Sequence, residues 1–364
     1  MYKELIRPVL DRMDSETWHV RARELLHKAE ATPQTLKLLE LVGSYHNKRY
    51  FNKRLNVVVG GVSFDNPLVV GAGWDKSGRA VKALYRLGFA GVEVGSVLAN
   101  PQPGNEKPRQ FMIRPGVSLN RLGFNSPGME VVAQNLQNYK DSGIPIGISL
   151  GKNKEVSEKD AAKAHAEVAK RLFEFASYFV INVSSPNTPG LRALQDKAPL
   201  TEIVIAVNEV VMDRRPVFVK IAPDLEDTAV DDVIQVVMDN NLSGIVATNT
   251  TNNPDIKGQY GEKWRNQAGG LSGDDPAYRR MTTEKIKHIY KETNGKMDII
   301  GVGGINTIDS ALEKIKAGAR VLQIVTGLRG EGLEVAGKIN RGIIKFMDKN
   351  GVKNVSELVG NDLS

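Results

Sequence analysis

Short runs of apolar and β-branched residues recur from residue 67 onward, and most are followed by a segment whose apolar residues return with helical period. The runs are almost continuously hydrophobic, as is typical of strands in a parallel sheet covered by helices. Eight strands are predicted, at residues 67–73, 91–97, 146–151, 178–184, 216–223, 244–250, 297–305 and 321–327. Amphipathic helices are predicted between them, for example at 78–87, 159–176, 227–240 and 308–317.

Eight strand–helix units predict an α/β fold, a (β/α)8 TIM barrel in which the loops after the strands carry the chemistry. A doubly wound sheet is the alternative architecture. Two connections, at residues 98–145 and 251–296, are longer than a crossover helix requires. Long insertions after barrel strands commonly form a lid or a binding loop, so we expect these two at the catalytic face.

The first 43 residues show a different pattern, that of short amphipathic helices. Asp14 is a candidate N-cap for one helix, and Pro33 opens another helical stretch. We predict a small N-terminal α-helical extension over residues 1–43 and a barrel over residues 44–364. Two interpretations stay open: the apolar stripes pack on the barrel, or part of them faces a membrane or an apolar ligand. The apolar positions are Tyr2, Leu5, Ile6, Val9, Leu10 and Met13, then Trp18, Ala22, Leu25, Leu26 and Ala29.

The charge balance favours a membrane surface over nucleic acid as a partner. The 364 residues include 49 Lys and Arg against 42 Asp and Glu, a formal charge of +7. Over half of this excess lies in residues 1–54, with 11 basic against seven acidic side chains, which suits an anionic membrane. No basic stripe interleaved with aromatic residues occurs, so we expect no nucleic acid partner. Without a membrane-spanning apolar run or a recognisable signal peptide, we expect a cytoplasmic protein, soluble or bound to the membrane surface.

The absence of cysteine excludes several kinds of chemistry at once. Disulfides, thiolate nucleophiles and cysteine-ligated zinc or iron–sulfur clusters all require it. The five histidines show no metal-ligand spacing, and no G-x-G-x-x-G, Walker A or H-E-x-x-H motif is present. We therefore expect no metal site.

Glycines follow the last two predicted strands, in GVGGI at 301–305 and QIVTG at 323–327. In barrels these two loops commonly bind a phosphate through backbone N–H groups, and glycine permits the close approach. The alternative is that the glycines only form tight turns.

Polar side chains also lie at strand ends, on the face where a barrel carries its active site. Lys220 interrupts an apolar strand, and an unpaired lysine there is costly, so it favours a functional role. Lys76 is a weaker candidate, because a lysine at the start of a helix is often only solvated. Four asparagines at the same face suggest a planar ligand rich in amide and carboxylate groups: Asn120, Asn182, Asn187 and Asn249. Ser184 and Ser185 precede Pro186, where serine is ordinarily a turn former.

These residues together resemble dihydroorotate dehydrogenase of the quinone-dependent class 2, over essentially the whole chain and including the N-terminal helices. The resemblance rests on GAGWDK (71–76), PQPGNEKPR (101–109), NRLGFN (120–125), GKN (151–153), NVSSPNTPGLR (182–192), VKIAPDL (219–225), ATNTT (247–251), GGLSG (269–273) and IIGVGGI (299–305). It implies an FMN enzyme that oxidises dihydroorotate to orotate in pyrimidine biosynthesis. The electrons would pass to a membrane quinone, from the cytoplasmic face of the cell membrane and without an iron–sulfur partner subunit.

The resemblance also implies roles for individual residues. Ser185 occupies the position of the catalytic base, and Phe124 and Thr188 match positions that shape its proton route; a serine base needs a fixed geometry. The implied substrate contacts are Lys76, Asn120, Arg121, Leu122, Gly123, Phe124, Asn182, Asn187, Asn249 and Thr250. The implied FMN contacts are Ala72, Gly73, Trp74, Asp75, Lys76, Ser96, Ser149, Asn182, Lys220, Thr248, Gly273, Gly304, Val325 and Thr326. Candidate quinone contacts are His19, Leu5, Val9 and Leu26.

Two positions depart from the family pattern. Ser149 stands where many relatives have asparagine, and Val325 stands where many have tyrosine. Because water can bridge a shorter donor and backbone N–H groups can bind the phosphate, we expect altered affinity, not lost activity. The alternatives to the family interpretation are another pyrimidine-oxidising flavin barrel that uses NAD(P)H, and a non-catalytic basic protein that binds membrane or nucleic acid.

Overall fold

A computed structural model describes residues 4, 7–43, 52–188 and 190–363. Its centre is a closed barrel of eight parallel strands, which confirms the TIM-barrel prediction and excludes the open doubly wound sheet. After a short hairpin of β1 (Val57–Val59) and β2 (Val62–Phe64), the barrel strands are β3 (Leu68–Val70), β4 (Gly91–Val97), β7 (Ile146–Leu150), β8 (Tyr178–Asn182), β9 (Val217–Ile221), β10 (Gly244–Ala247), β12 (Asp298–Val302) and β13 (Val321–Ile324). They neighbour one another in that order, and β13 pairs with β3 to close the ring.

Helices surround the barrel. They are α1 (Arg7–Leu10), α2 (Ser15–Ala29), α3 (Pro33–Val42), α4 (Val81–Arg86), α5 (Met129–Leu136), α6 (Ala161–Leu172), α7 (Lys197–Val211), α8 (Asp227–Asp239), α9 (Pro254–Gly258), α10 (Glu262–Arg265), α11 (Pro276–Glu292), α12 (Ile308–Lys316), α13 (Thr326–Glu331) and α14 (Val335–Asn350). Every residue of β4, β7, β8, β9 and β10 is buried, because helices cover the outer face and side chains fill the interior. This two-sided burial explains the continuous hydrophobic runs.

Each of the eight predicted strands contains an observed strand that is the same length or shorter. The predicted strand at 244–250 ends at Ala247, and Thr248, Asn249 and Thr250 instead line a cavity at the barrel mouth. The difference has a simple cause: the residues after each strand leave the hydrogen-bonded ladder to reach the site.

The two long insertions meet over the barrel mouth in one antiparallel sheet. The first insertion contributes β5 (Gln110–Arg114) and β6 (Val117–Asn120), and the second contributes β11 (Gly270–Gly273). The sheet has the order β11-β6-β5, with Gly270 opposite Asn120. Both insertions line the same cavity, as expected if they form a binding element.

The N-terminal extension packs on the barrel through its second and third helices. The Asp14 carboxylate accepts the Thr17 N–H at 2.8 Å at the start of α2, and Pro33 occupies the first turn of α3, so both predicted starts are confirmed. Leu26 is buried, but Leu25 is 67% exposed. Tyr2, Leu5, Ile6 and the side chain of Val9 lie outside the described residues, as do residues 44–51, so the boundary at residue 43 stays a prediction. In the part of the chain that the structure describes, no helix is long and apolar enough to cross a membrane.

Candidate active site

A deep cavity opens at the carboxyl ends of the barrel strands, between the barrel, the insertion sheet and α2. Together with its opening it holds about 1460 Å³ of space. Most of the residues singled out in the sequence line it: Ala72, Gly73, Trp74, Lys76, Ser96, Asn120, Leu122, Gly123, Phe124, Asn182, Ser185, Asn187, Lys220, Thr248, Asn249, Thr250, Gly273, Gly304, Val325 and Thr326. Segments far apart in sequence therefore share one chamber.

Three of the predicted substrate and FMN contacts do not line the cavity, and neither does the candidate quinone contact Leu26. Asp75 is fully buried and accepts the Ala80 N–H at 2.8 Å, just before α4. Arg121 donates to the Pro108 carbonyl at 2.8 Å and stacks over Phe111, away from the chamber. Ser149 lies one layer below the wall, with its Oγ 2.8 Å from the Oγ of Ser96, and so reaches the cavity only through that hydroxyl.

Glycines at one end of the cavity pack closely against neighbouring segments of the protein. Gly273 has a φ of +102°, and a Cβ there would lie 2.1 Å from the Gly116 carbonyl oxygen. A Cβ at Gly304 would lie 2.7 Å from the Cβ of Arg279. Nearby, the Ser272 and Thr326 hydroxyls are 3.0 Å apart, and α13 begins at Thr326 without a side-chain cap. The close packing behind these glycines explains their residue type, and the hydroxyls and uncapped N–H groups suit a phosphate.

Lys220 projects from the end of β9 into the cavity and is only 5% exposed. Burial lowers the pKa of its ammonium group, and the carboxylate of Glu93 on β4 partly offsets that effect. Glu93 itself is fully buried, and burial raises its pKa; Gln323 donates a hydrogen bond to it. A cation so enclosed favours a ligand that carries or gains negative charge beside it.

A network of amides and hydroxyls forms one wall of the chamber. The Asn182 side chain donates to Ser96 Oγ at 2.8 Å and accepts from Ser184 Oγ at 2.9 Å. The Asn249 amide in turn donates to Ser184 Oγ at 2.9 Å. This network fixes the orientation of both amides, and thus the pattern of donors and acceptors that a ligand meets.

Two buried polar atoms near this wall have no hydrogen-bond partner among the described residues. They are Oδ1 of Asn187 and Oγ1 of Thr250, and both residues line the cavity. Buried polar atoms in proteins are nearly always paired, so these two indicate where a polar ligand would bind.

Lys76 lies in the same chamber, where its ammonium donates to Asn125 Oδ1 at 2.6 Å. Burial lowers the pKa of Lys76 to about 7, and the nearby cations of Arg109 and Arg23 act in the same direction. An anionic ligand would reverse this effect by restoring the charge.

Ser185 is 6% exposed and lines the cavity in the loop after β8. Its Oγ accepts the Asn187 N–H at 3.3 Å, and no described Asp, Glu or His side chain hydrogen-bonds to it. Its position between the amide wall and the cavity is that of a side chain able to reach a bound ligand.

The outer part of the cavity is bounded by the N-terminal extension. Trp18 and His19 of α2 line it, and His19 Nε2 donates to the Trp74 carbonyl at 2.6 Å. Burial lowers the pKa of His19 to about 4, so the ring is neutral near pH 7. Arg329 lies over the Trp18 ring at 5.1 Å. Of Trp18, His19 and Arg329, the sequence indicated only His19 as a candidate contact.

Some lining and supporting residues were missed although the sequence held a signal for them. Gln323 interrupts the apolar run of β13, and Glu93 interrupts that of β4, as Lys220 does in β9. A polar residue in a strand buried on both sides needs a partner, which is the argument that identified Lys220. Arg329 and Tyr278 gave no comparable signal, because they lie in helices of mixed composition. Within the described residues no cluster of three His, Asp or Glu side chains suited to a metal is present.

Comparisons with known proteins agree with this geometry. The family model described as Dihydroorotate dehydrogenase matches residues 54–347. A dihydroorotate dehydrogenase (quinone) of Natronomonas pharaonis is 39% identical over 99% of both chains, and that of Erythrobacter litoralis is 37% identical over 100% of both. The crystal structure of DHODH from Eimeria tenella in complex with ferulenol matches with a TM-score of 0.84 and 31% identity, over 95% of each chain. The ligand-free form from the same organism matches with a TM-score of 0.82 and 32% identity, over 94% of this chain and 99% of that one.

Proposed function

The chain belongs to the dihydroorotate dehydrogenase family, and from that premise we propose that it oxidises dihydroorotate to orotate with FMN and passes the electrons to a membrane quinone. The reaction is a step of pyrimidine biosynthesis. The observation that carries the proposal is the shared chamber, in which a glycine-lined end, a buried lysine, an amide wall and Ser185 surround one space.

The glycine-lined end and Lys220 fit FMN. The phosphate would lie against the backbone of Gly273, Gly304, Val325 and Thr326, which all line the same end of the cavity. Further contacts would come from Ala72, Gly73, Trp74, Ser96, Asn182, Lys220 and Thr248, all of which line the cavity. When bound, FMN supplies the acceptor for the hydride that leaves the substrate. Lys220 would provide positive charge beside the flavin, where it would stabilise the reduced, anionic form.

The amide wall and Lys76 fit dihydroorotate. Lys76 would bind the substrate carboxylate, and the ring amides would bind Asn120, Asn182, Asn187, Asn249 and Thr250. The unpaired Asn187 Oδ1 and Thr250 Oγ1 support this, because both can accept a hydrogen bond from a ring N–H.

Ser185 would act as the base. Its Oγ would take the proton from the substrate carbon next to a carbonyl and release its own hydroxyl proton along a route shaped by Phe124 and Thr188, while the hydride from the adjacent carbon would go to FMN. Because serine is a weak base, catalysis depends on fixed geometry. The Asn187 N–H that donates to Ser185 Oγ holds the oxygen and favours its alkoxide character.

The N-terminal extension would provide access for the quinone from a membrane surface. Three apolar side chains of α2 and α3 are strongly exposed: Leu25 at 67%, Leu38 at 57% and Leu41 at 49%. Trp18 and His19 of α2 line the outer cavity, so a quinone would reach the chamber along this helix. We propose peripheral association with the cytoplasmic face of the membrane, without an iron–sulfur partner subunit and without nucleic acid.

A steady-state comparison of electron acceptors tests this function. Purified holoenzyme is mixed with dihydroorotate and either a soluble quinone or NAD⁺. We expect orotate to form with the quinone and not with NAD⁺. The opposite preference would support the alternative of an NAD(P)H-linked pyrimidine-oxidising flavin enzyme.

A further inference from the structure

Asn105, in the loop between β4 and β5, connects the N-terminal extension to the loop that carries Ser185. We propose that Asn105 is a positioning residue for Ser185, and that the ion pair between Glu16 of the extension and Arg109 fixes Asn105 in place. The docked extension would thereby control the oxidation of dihydroorotate as well as the access of the quinone. This inference rests on the proposed role of Ser185 as the base.

The connection begins with a buried ion pair between α2 and the first insertion. Arg109 donates from Nε to Glu16 Oε2 at 2.9 Å and from Nη2 to Glu16 Oε1 at 2.7 Å. Arg109 is 6% exposed and Glu16 is 8% exposed. Burial raises the pKa of Glu16, but the hydrogen bonds and charge of Arg109 outweigh it and lower the pKa. Such a bidentate pair fixes orientation as well as distance.

The remaining guanidinium nitrogen of Arg109 fixes the backbone around Asn105. Nη1 donates to the carbonyl oxygens of Pro103 at 2.6 Å and Asn105 at 2.7 Å. Glu16 therefore orients the guanidinium, and the guanidinium orients the loop.

The Asn105 side chain then joins two segments of the candidate site. Its Nδ2 donates to the carbonyl oxygens of Arg121 at 2.9 Å and Asn187 at 3.3 Å. Its backbone N–H donates to the Leu122 carbonyl at 3.1 Å. Gly123 packs so closely that a Cβ there would lie 2.5 Å from Asn105 Cγ. Asn105 is thus enclosed on several sides, and its amide has little freedom to move.

The last link ends at the base. The Asn187 N–H donates to Ser185 Oγ at 3.3 Å, and Asn187 Nδ2 donates to Asn120 Oδ1 at 3.3 Å. Holding the Asn187 carbonyl therefore restrains residue 187, whose backbone N–H donates to Ser185 Oγ and whose side chain lines the cavity. Neither Asn105 nor Arg109 lines the cavity, so both act through other residues.

The test compares the two half-reactions in the flavin-loaded variants Asn105→Ala, Glu16→Gln and the double variant. Anaerobic rapid mixing with saturating dihydroorotate measures flavin reduction, and mixing the reduced enzyme with a soluble quinone measures reoxidation. We expect reduction to slow by about tenfold in Asn105→Ala, because displacing a base by a fraction of an ångström costs rate steeply. Reoxidation should stay within about twofold of wild type in Asn105→Ala. Glu16→Gln should slow reduction less, and the double variant no more than Asn105→Ala alone, because both changes act on one path.

Matched control variants lie far from the chamber. Glu130→Gln removes the carboxylate of another bidentate pair, with Arg171, on the exposed surface of α5 and α6. Asn138→Ala removes an exposed amide that donates only to the Asn135 carbonyl. Both variants should reduce and reoxidise at the wild-type rate.

Hydrogen–deuterium exchange of residues 183–188 in the same holoenzymes gives a readout that needs no turnover. We expect faster exchange in Asn105→Ala and Glu16→Gln and wild-type exchange in the controls. Wild-type exchange in both test variants would overturn the connection itself. Faster exchange together with unchanged flavin reduction would overturn the positioning role. If dihydroorotate does not reduce the flavin of the wild-type enzyme, the proposed function is refuted. The exchange result would still show whether Glu16 and Asn105 hold residues 183–188 in place.

Discussion

Lys76 is held beside an amide and near two cations, with no anion close enough to pair with it among the described residues. Burial and the positive charges of Arg109 and Arg23 lower its pKa to about 7, and the Glu16 carboxylate offsets part of that shift. A substrate carboxylate would supply the missing anion. The charge of Lys76, and hence the affinity for orotate, is therefore expected to change within the physiological pH range.

The affinity for orotate should fall as the pH rises above about 7. Below that value Lys76 is charged before orotate binds; above it, binding must include the uptake of a proton, since the bound carboxylate raises the pKa of the lysine. By linkage, the dissociation constant rises by up to about tenfold per pH unit until the pKa of the complex is reached. Titration of the visible spectrum with orotate between pH 6 and 9 measures this, with Lys76→Met as the pH-independent control. A constant dissociation constant across the range would contradict the assignment.

Replacing Ser185 by alanine should leave flavin binding intact but slow flavin reduction by dihydroorotate. General-base catalysis typically contributes about 10²- to 10⁴-fold, so a loss of that order is expected near neutral pH. Ser185→Cys is the matched variant, because it keeps a group that can accept a proton and should retain more activity. Single-turnover reduction of Ser185→Ala at nearly the wild-type rate would refute the role of the base.

At the scale of elements, the carboxyl ends of β11, β12 and β13 build the glycine-lined end of the cavity, and Gly273 and Gly304 each pack against a neighbouring segment. Gly273 lies against Gly116 of the first insertion, and Gly304 lies against Arg279 of α11. The site therefore depends on the packing of separate connections against each other, and enlarging one residue displaces another loop.

Gly273→Ala should lower the amount of FMN that copurifies with the protein. The added Cβ would meet the Gly116 carbonyl at 2.1 Å in a backbone conformation, φ +102°, that alanine rarely adopts. Gly261→Ala separates these two causes, because Gly261 has a φ of +109° with nothing within 4 Å of its Cβ position. Flavin content per protein, read from the visible and ultraviolet absorbance, should fall in the first variant and not in the second. Equal flavin content in both would argue against the phosphate site.

The exposed apolar side chains of α2 and α3 should matter for membrane binding and quinone turnover, but not for reduction of a small soluble acceptor. Leu25→Ser and Leu38→Ser change residues that are 67% and 57% exposed, so little stability is expected to be lost. Met212→Ser and Met238→Ser are matched controls on the barrel surface, at 58% and 56% exposure. Sedimentation with anionic vesicles and turnover of a membrane quinone should fall only in the first pair. Equal sedimentation and equal quinone turnover in the two pairs of variants would contradict a role of the extension in membrane binding.

At the scale of the whole molecule, the sequence predicted the features that repeat or lie close together along the chain. The eight barrel strands were predictable because burial on both faces demands continuous apolar runs, and the starts of α2 and α3 were predictable from a local cap and a proline. Asp75 lies in a motif that suggested cofactor contact, but its carboxylate accepts a backbone N–H before α4. A motif places a residue in a loop and does not decide which way its side chain points.

Contacts between distant segments could not be predicted from the sequence. Glu16 and Arg109 are separated by 93 positions, and nothing local marks them as partners. The same holds for Arg329, which reaches Trp18 across the cavity mouth. Such pairs arise only when the barrel closes and the extension docks, which is why the link from the extension to Ser185 required the folded structure.

The central claim is that one chamber brings FMN and dihydroorotate together for hydride transfer. Its most direct test is the visible absorption spectrum of the purified protein, recorded without oxygen before and after the addition of dihydroorotate. The proposed function predicts a flavin spectrum that loses its visible absorbance with dihydroorotate and regains it with a quinone. A protein without flavin absorbance, or a flavin spectrum that dihydroorotate leaves unchanged, would contradict it.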